Sequence, residues 1–316
     1  MKIDYTRLYL SASFAGLGAF LSWIIISIVD YDVSTEDGLR QKTMLFGLII
    51  GGFIGGLTGT IDGLFLNYSK DRALNGLMMG GVIGSIGGVA GLLIAESLFQ
   101  SLENEVWSRA FGWGCFGILL GVSKGIINKS QEIGTFCCIG GFLGGMIGGG
   151  AYETLSSYFL GGSEDRALAF SLSSATGLLL LGVSLGSFMA LLEDVLRKGW
   201  ITYLDGFLEG QTRTLDSTKG EFILGSLDSS DIYFHEDTSV KNFHAKLLYN
   251  NIDKTMQIVK MNGDFIVFNE DAIEVKYDSS AEGGGGLSFS VVSGDILKLG
   301  DTRIQLGFEE EKRWTI

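Results

Sequence analysis

The first 196 residues alternate long apolar runs with short polar clusters such as "DYDVSTEDGLRQK" and "NKSQE". Each run reaches or exceeds the roughly 20 residues that a helix needs to cross a bilayer. The runs cover 8–29, 44–66, 75–99, 107–128, 135–157 and 166–192. This pattern predicts an α-helical bundle of six transmembrane segments over residues 1–196.

A different pattern begins at Trp200. Short runs such as "EFILGS" and "MQIVKM" alternate apolar with polar residues, and turn residues interrupt them every eight to twelve positions or so. Alternation of this kind is typical of half-buried strands, and the regular spacing favours an antiparallel β-sandwich. We therefore expect an all-β domain over residues 199–316.

Glycine recurs at every fourth position inside the apolar runs, as at Gly47, Gly51, Gly55, Gly59 and Gly63. In a helix in water, each would cost about 1 kcal/mol relative to alanine. In lipid, helices associate through close van der Waals packing, which small residues permit. The spacing predicts glycine-zipper faces that pack helix against helix, together with homo-oligomers or complexes with other membrane proteins.

Internal similarity accompanies the glycines. "GLTGTIDGLF" at 56–65 resembles "GILLGVSKGII" at 117–127, and "GGVIGSIGGVAG" at 80–91 resembles "GGFLGGMIGGG" at 140–150. Even-numbered segments match one another, and so do odd-numbered ones. Three copies of a two-helix repeat are the simplest explanation.

The distribution of basic residues predicts the orientation. Basic residues are enriched on the cytosolic side of membrane helices. With the N-terminus inside, the inner segments carry Lys2, Arg7, Lys70, Arg72, Lys124, Lys129, Arg197 and Lys198, against Arg40, Lys42, Arg109 and Arg166 outside. We expect six spans of the cytoplasmic membrane, with both termini in the cytosol.

Composition narrows the classes of function. The net charge of −13 argues against a nucleic-acid partner, which would require a basic face. The chain has two histidines and three cysteines, and neither type occurs at the spacing of a metal site or a catalytic triad. We expect no catalytic residues, no cofactor and no bound metal, and hence no enzyme.

Two ionisable residues stand near the ends of apolar runs at matching repeat positions, Asp62 in "GTIDG" and Lys124 in "GVSKG". Ionisable groups within a membrane are costly and mark candidate functional sites. The two residues are a candidate intramembrane polar pair. The alternative is that both lie at the cytosolic interface, with the Lys124 side chain extended towards water.

The second domain carries a family resemblance in "FILGSLDSSDIYFHEDTSVKNFHAKL", residues 222–247, and in the turns that follow. The residues that match, in family order, are Gly225, Asp231-Ile232, Val240, His244-Ala245, Asn262-Gly263 and Gly294-Asp295. Residues of about 200–310 resemble a forkhead-associated (FHA) domain. The resemblance implies a two-sheet sandwich that binds phosphothreonine peptides through loops at one end. The whole layout resembles bacterial polytopic membrane proteins in which Gly-rich helical repeats precede a divergent FHA domain.

The resemblance also implies a set of site residues. Ser226, Lys241, Asn242 and Asn262 fall in the peptide-binding loops, whereas Gly225 and His244 have the supporting roles. Ser226 stands where the family has its phosphate-contacting arginine, and Lys241-Asn242 replaces a Ser-Arg pair. Serine cannot replace the planar guanidinium fork. The ligand therefore remains open between a phosphothreonine peptide, an unphosphorylated partner and a purely structural docking role.

These features together predict a membrane-anchored adaptor or scaffold that recruits a protein partner to the cytosolic face of the membrane. The alternative is a channel or transporter that the FHA-like domain regulates. It draws on the internal repeat and on Asp62 and Lys124.

Overall fold

The computed structural model describes residues 4–29, 35–66, 69–101, 105–128, 130–162, 166–196, 199–206, 208–215, 219–227, 229–234, 237–250, 255–281 and 288–308. The chain divides into two compact units, and the boundary between the helices and the strands follows Leu196. They are called here the helical unit and the β-sheet unit.

Within the described residues, six helices form the helical unit, which confirms the predicted number of long apolar segments. They are α1 Tyr5–Ile28, α2 Glu36–Ile61, α3 Lys70–Ser101, α4 Glu105–Asn128, α5 Gln131–Gly162 and α6 Arg166–Leu196. A π-helical turn, Asp62–Leu66, extends α2. All six helices contain a stretch long and apolar enough to cross a membrane.

The helices close into a ring. Each packs against its neighbours in the chain, and α1 also packs against α6. The interior is filled by buried side chains that include Ile54, Phe116, Leu181 and Leu185. Ring closure brings the N-terminal end of α1 next to the C-terminal end of α6, where the Asp4 amide donates a hydrogen bond to Asp194 Oδ2 at 2.8 Å.

Backbones approach one another closely where glycines face each other. Between α2 and α3, Gly47 faces Gly88 and Gly51 faces Gly84. A Cβ atom added at Gly47 would lie 2.5 Å from the Gly88 carbonyl oxygen, closer than side chains tolerate. The glycines of this stripe thus meet another helix of the same chain, and the predicted oligomer stays a prediction.

In the part of the β-sheet unit that the structure describes, there are eleven strands. They are β1 Gly199–Tyr203, β2 Thr212–Leu215, β3 Glu221–Gly225, β4 Ile232–Tyr233, β5 Ala245–Asn250, β6 Thr255–Lys260, β7 Phe265–Phe268, β8 Val275–Asp278, β9 Ser288–Val291, β10 Ile296–Leu299 and β11 Thr302–Phe308. Ten of them coincide with short apolar runs of the kind described above. The pattern did not predict β2, "TRTL", because this edge strand is mostly polar and is held by pairing with β1.

The strands form two sheets, as predicted for a sandwich. One sheet has the order β2-β1-β11-β10-β7-β8, and the other β4-β3-β5-β6-β9. Neighbouring strands are antiparallel except β3 and β4, which are parallel. Large apolar side chains from both sheets, such as Leu247, Phe265 and Leu306, form one buried core.

Candidate functional site

Three connections meet at one end of the sandwich: the turn after β3, the β4–β5 connection and the β6–β7 turn. Backbone hydrogen bonds join them directly. The Ser226 amide donates to the Lys241 carbonyl at 3.0 Å, and the Asn262 amide donates to the Phe243 carbonyl at 3.2 Å. These bonds fix the backbone positions of residues whose side chains face solvent.

His244 supports this arrangement from below. Its side chain is buried, with Nδ1 3.0 Å from the Lys241 amide and Nε2 2.6 Å from the Asp264 carbonyl oxygen. Nδ1 therefore accepts and Nε2 donates, so one imidazole ring connects the β4–β5 connection to the β6–β7 turn. Gly263 leaves room for the ring, because an added Cβ atom would overlap it.

Gly225 occupies an equally crowded position at the end of β3. An added Cβ atom would overlap the Asn242 carbonyl oxygen. That same oxygen accepts a hydrogen bond from the Ser230 hydroxyl at 3.3 Å. The glycine thus lets the turn after β3 and the β4–β5 connection lie against each other.

All four residues predicted for the binding loops line one open pocket of about 660 Å³. They are Ser226, Lys241, Asn242 and Asn262, and the Ser226 hydroxyl lies 3.4 Å from Asn242 Oδ1. The remaining lining residues are Tyr233, Phe234, Asp237, Thr238 and Val240. The site therefore combines an apolar wall with several hydrogen-bonding groups.

Asp237 also lines this pocket, although the sequence did not predict it as a site residue. Asp237 Oδ2 accepts hydrogen bonds from the amides of Asp301 and Thr302, each at 3.0 Å, and from the Thr302 hydroxyl at 2.8 Å. Oδ1 accepts one from the Ser239 amide at 3.0 Å. These bonds commit the carboxylate to holding the β10–β11 turn. Among the described residues that line this pocket, Lys241 is the cation.

A second pocket of about 310 Å³ adjoins the first and shares Lys241 and Asn262 with it. Lys298, near the end of β10, also lines it, together with the hydroxyl-bearing Ser239 and Ser280. Lys298 was also not predicted from the sequence as a site residue. Its place in "DILKLG" marks it as part of a strand, and strand pairing alone brings it to this end of the sandwich.

The helical unit contains a separate polar cluster. Arg7 Nη2 lies 2.5 Å from Glu193 Oε1 and 4.0 Å from Asp62 Oδ1. Lys124 is also buried and lines a small cavity with Glu193 and Cys137, but no ion pair joins Lys124 to Asp62. The two residues predicted as a pair thus belong to one cluster, in which Arg7 is the nearby cation for Asp62.

Arg7 and Glu193 were not singled out by the sequence analysis. Arg7 was counted among the basic residues flanking the first span, and Glu193 lies near the end of the last one. A signal was present in "LLEDVL", where two acidic residues interrupt an apolar helix about one turn before its end. The ion pair between Glu193 and Arg7 depends on the packing of α6 against α1, which the sequence does not reveal.

No protein-family model and no curated protein sequence matches this chain. Several solved FHA domains are similar to it. One, from a study of phosphothreonine-dependent FHA domain interactions, has 16% identity and a TM-score of 0.27, covering 36% of this chain and 99% of its own. The FhaA FHA domain in complex with the intracellular domain of Rv3910 has 17% identity and a TM-score of 0.25, covering 34% and 98%. The FHA domain of the Chlamydia trachomatis CT664 protein has 21% identity and a TM-score of 0.27, covering 36% and 99%.

Proposed function

We propose that this protein is a membrane-anchored adaptor whose β-sheet unit captures a peptide segment of a protein partner. The observation that carries the proposal is the pocket formed by Ser226, Lys241, Asn242 and Asn262, whose loops are fixed to one another through His244. A pocket whose backbone is already ordered loses little conformational entropy on binding. Six helices long and apolar enough to cross a membrane support such an anchor, which we assign to the cytoplasmic membrane.

The lining chemistry suits an extended peptide bearing a phosphothreonine. The Lys241 ammonium and the Ser226 hydroxyl would contact the phosphate, and the Asn262 amide would hold the peptide backbone. Lysine offers a point charge and not the bidentate fork of arginine. One charge-assisted hydrogen bond contributes about 1.5 kcal/mol, so phosphorylation should tighten binding by about tenfold.

The test uses the full chain in lipid nanodiscs and matched peptides with threonine or phosphothreonine at one position. We expect both forms to bind, the phosphorylated one about tenfold more tightly. Lys241→Ala should remove the preference, and Asn262→Ala should weaken both peptides. Lys246→Ala is the control, because Lys246 pairs with Glu221 and does not line the pocket. Equal binding of the two peptides by the unaltered chain would rule out phosphate recognition.

The orientation of the anchor follows from the positive-inside distribution. Both termini would lie in the cytosol, which places the β-sheet unit on that side. Protease added to sealed, right-side-out vesicles should leave the β-sheet unit intact and should digest it once the vesicles are opened. Digestion in sealed vesicles would contradict this orientation.

A second candidate function is a channel or transporter that the β-sheet unit regulates. The cluster of buried Arg7, Lys124 and Glu193 with half-buried Asp62 favours it, because charged groups within membrane helices mark ion and proton pathways. Ion or solute flux into liposomes that contain the purified chain is the test. Flux that Asp62→Asn or Lys124→Met abolishes would replace the adaptor proposal, whereas no flux is expected from an adaptor.

A further inference from the structure

Lys124 has an unusual environment for a lysine near the end of a membrane helix. Its residue surface is 8% exposed, and its ammonium makes no hydrogen bond or ion pair with any residue that the structure describes. The lysine lines a cavity of about 10 Å³ between α1, α2, α4, α5 and α6. An ammonium in so enclosed a position requires hydrogen-bond acceptors.

The same cavity is lined by groups that can accept or donate a hydrogen bond. Ser11, Thr58, Cys137 and Glu193 contribute side chains to it. Glu193 Oε1 forms the ion pair with Arg7 but makes no hydrogen bond within the described residues, and Oε2 lies 3.9 Å from Cys137 Sγ. The carboxylate thus has hydrogen-bonding capacity left, and both it and Lys124 line the cavity.

The volume of the cavity matches one water molecule. A buried water requires a cavity of at least about 10–15 Å³ and two to four polar partners. We propose that this cavity binds a single water that bridges the Lys124 ammonium to the Glu193 carboxylate. An anion would meet the negative charge of Glu193, and a metal cation would meet those of Lys124 and Arg7. Water can accept from lysine and donate to glutamate at the same time.

With this water in place, the charged side chains form one network. It runs from Asp62 on the α2 extension through Arg7 on α1 and Glu193 on α6 to Lys124 on α4. The hydrated site thereby connects four helices at the end of the ring where α1 closes against α6. The proposed water site does not depend on peptide binding by the β-sheet unit.

A double-mutant cycle tests the bridge in the full chain in nanodiscs. The background carries Cys115→Ser and Cys138→Ser, so that Cys137 is the remaining cysteine. Cys137 is 1% exposed and lines the cavity. Its thiol should therefore react with a fluorogenic maleimide only when this region opens. Glu193→Gln should lower the midpoint of thermal opening by roughly 10 °C, because Arg7 and Lys124 lose their carboxylate. Adding Lys124→Met should then raise the midpoint again, since it removes the stranded ammonium.

In the unaltered background, Lys124→Met should change the midpoint little or lower it. Lys70→Met, at an exposed lysine of α3, is the control and should have no effect in either background. An equal effect of Lys124→Met in both backgrounds would mean that Lys124 and Glu193 are not coupled, and it would overturn the proposal.

A second measurement detects the water and does not require the Glu193 variant to fold. X-ray radiolysis converts a bound water into hydroxyl radicals that oxidise adjacent side chains, and Met189, which is 6% exposed, lines this cavity. We expect Met189 to be oxidised in the unaltered chain and in Lys70→Met, and several-fold less in Lys124→Met. Absence of oxidation in the unaltered chain, or equal oxidation in all three, would show that the cavity is dry.

Discussion

Where α2 meets α3 in the helical unit, glycine backbone lies directly against glycine backbone. In the β-sheet unit, the corresponding interior consists of leucine, isoleucine, phenylalanine and tyrosine side chains that exclude water. The proposed membrane location of the helical unit explains the difference, because lipid would then take the place of water around its helices. Burial of apolar side chains drives folding in water, but it provides no driving force between helices that are already surrounded by lipid chains. There, the removal of side chains is what allows extensive dispersion contact.

The largest effect should come from adding a side chain to the glycine contact. A Cβ atom at Gly51 overlaps the Gly84 carbonyl oxygen, whereas one at Gly150 meets nothing within 4 Å. Gly51→Leu should therefore separate α2 from α3 and remove most of the monodisperse protein in detergent gel filtration. Gly150→Leu, the matched control, should behave as the unaltered chain. Equal behaviour of the two variants would mean that the close glycine contact is not required for folding.

The sequence was sufficient for the outline of both units because each solvent leaves a local pattern. Runs of about 20 apolar residues predict spanning helices, and alternation predicts half-buried strands. The resemblance to FHA domains, carried in part by Gly225, His244 and Asn262, likewise implied that loops from distant parts of the chain would meet at one end of the sandwich. All three positions lie at that end of the sandwich.

Features created by tertiary contact were not accessible in this way. Arg7 and Glu193 are about 190 positions apart, and each looks like an ordinary charged residue flanking its own apolar run. Their burial depends on the closure of α1 against α6. Asp237 and Lys298 became part of the site through strand order and not through local sequence.

An effect of intermediate size should come from the same core substitution made once in each unit, which compares the proposed lipid surroundings with water. Leu247 in β5 and Leu181 in α6 are both completely buried in their cores. Leu247→Ala should cost about 3 kcal/mol, because it loses transfer free energy and leaves a cavity. Leu181→Ala should cost about 1 kcal/mol, since in lipid the transfer contribution largely disappears.

Hydrogen exchange followed by mass spectrometry can measure both changes in the full chain, because it reports the opening of β5 and α6 separately. Equal costs for the two substitutions would contradict the distinction between the solvents. A greater cost for Leu181→Ala would reverse it.

The smallest effect concerns a carboxylate that is only partly exposed to water. Asp278, at the end of β8, is half-buried, and its carboxylate accepts hydrogen bonds from the Ser280 hydroxyl at 2.6 Å and the Ser280 amide at 2.9 Å, which lower the pKa of Asp278 below its ordinary value of 3.8. A lowered pKa in the folded state means that the stabilisation is present at neutral pH and is lost as the pH falls below about 4. Ser280→Ala should return the pKa towards the ordinary value, with little change in stability at neutral pH because water screens the group.

Carbon-13 titration of the aspartate carboxyls measures this pKa, and Ser290→Ala, on the exposed side of β9, is the control. An unchanged pKa in Ser280→Ala would exclude the hydroxyl as the main cause. A large loss of stability at neutral pH would mean that this partly exposed carboxylate contributes more than screening by water allows.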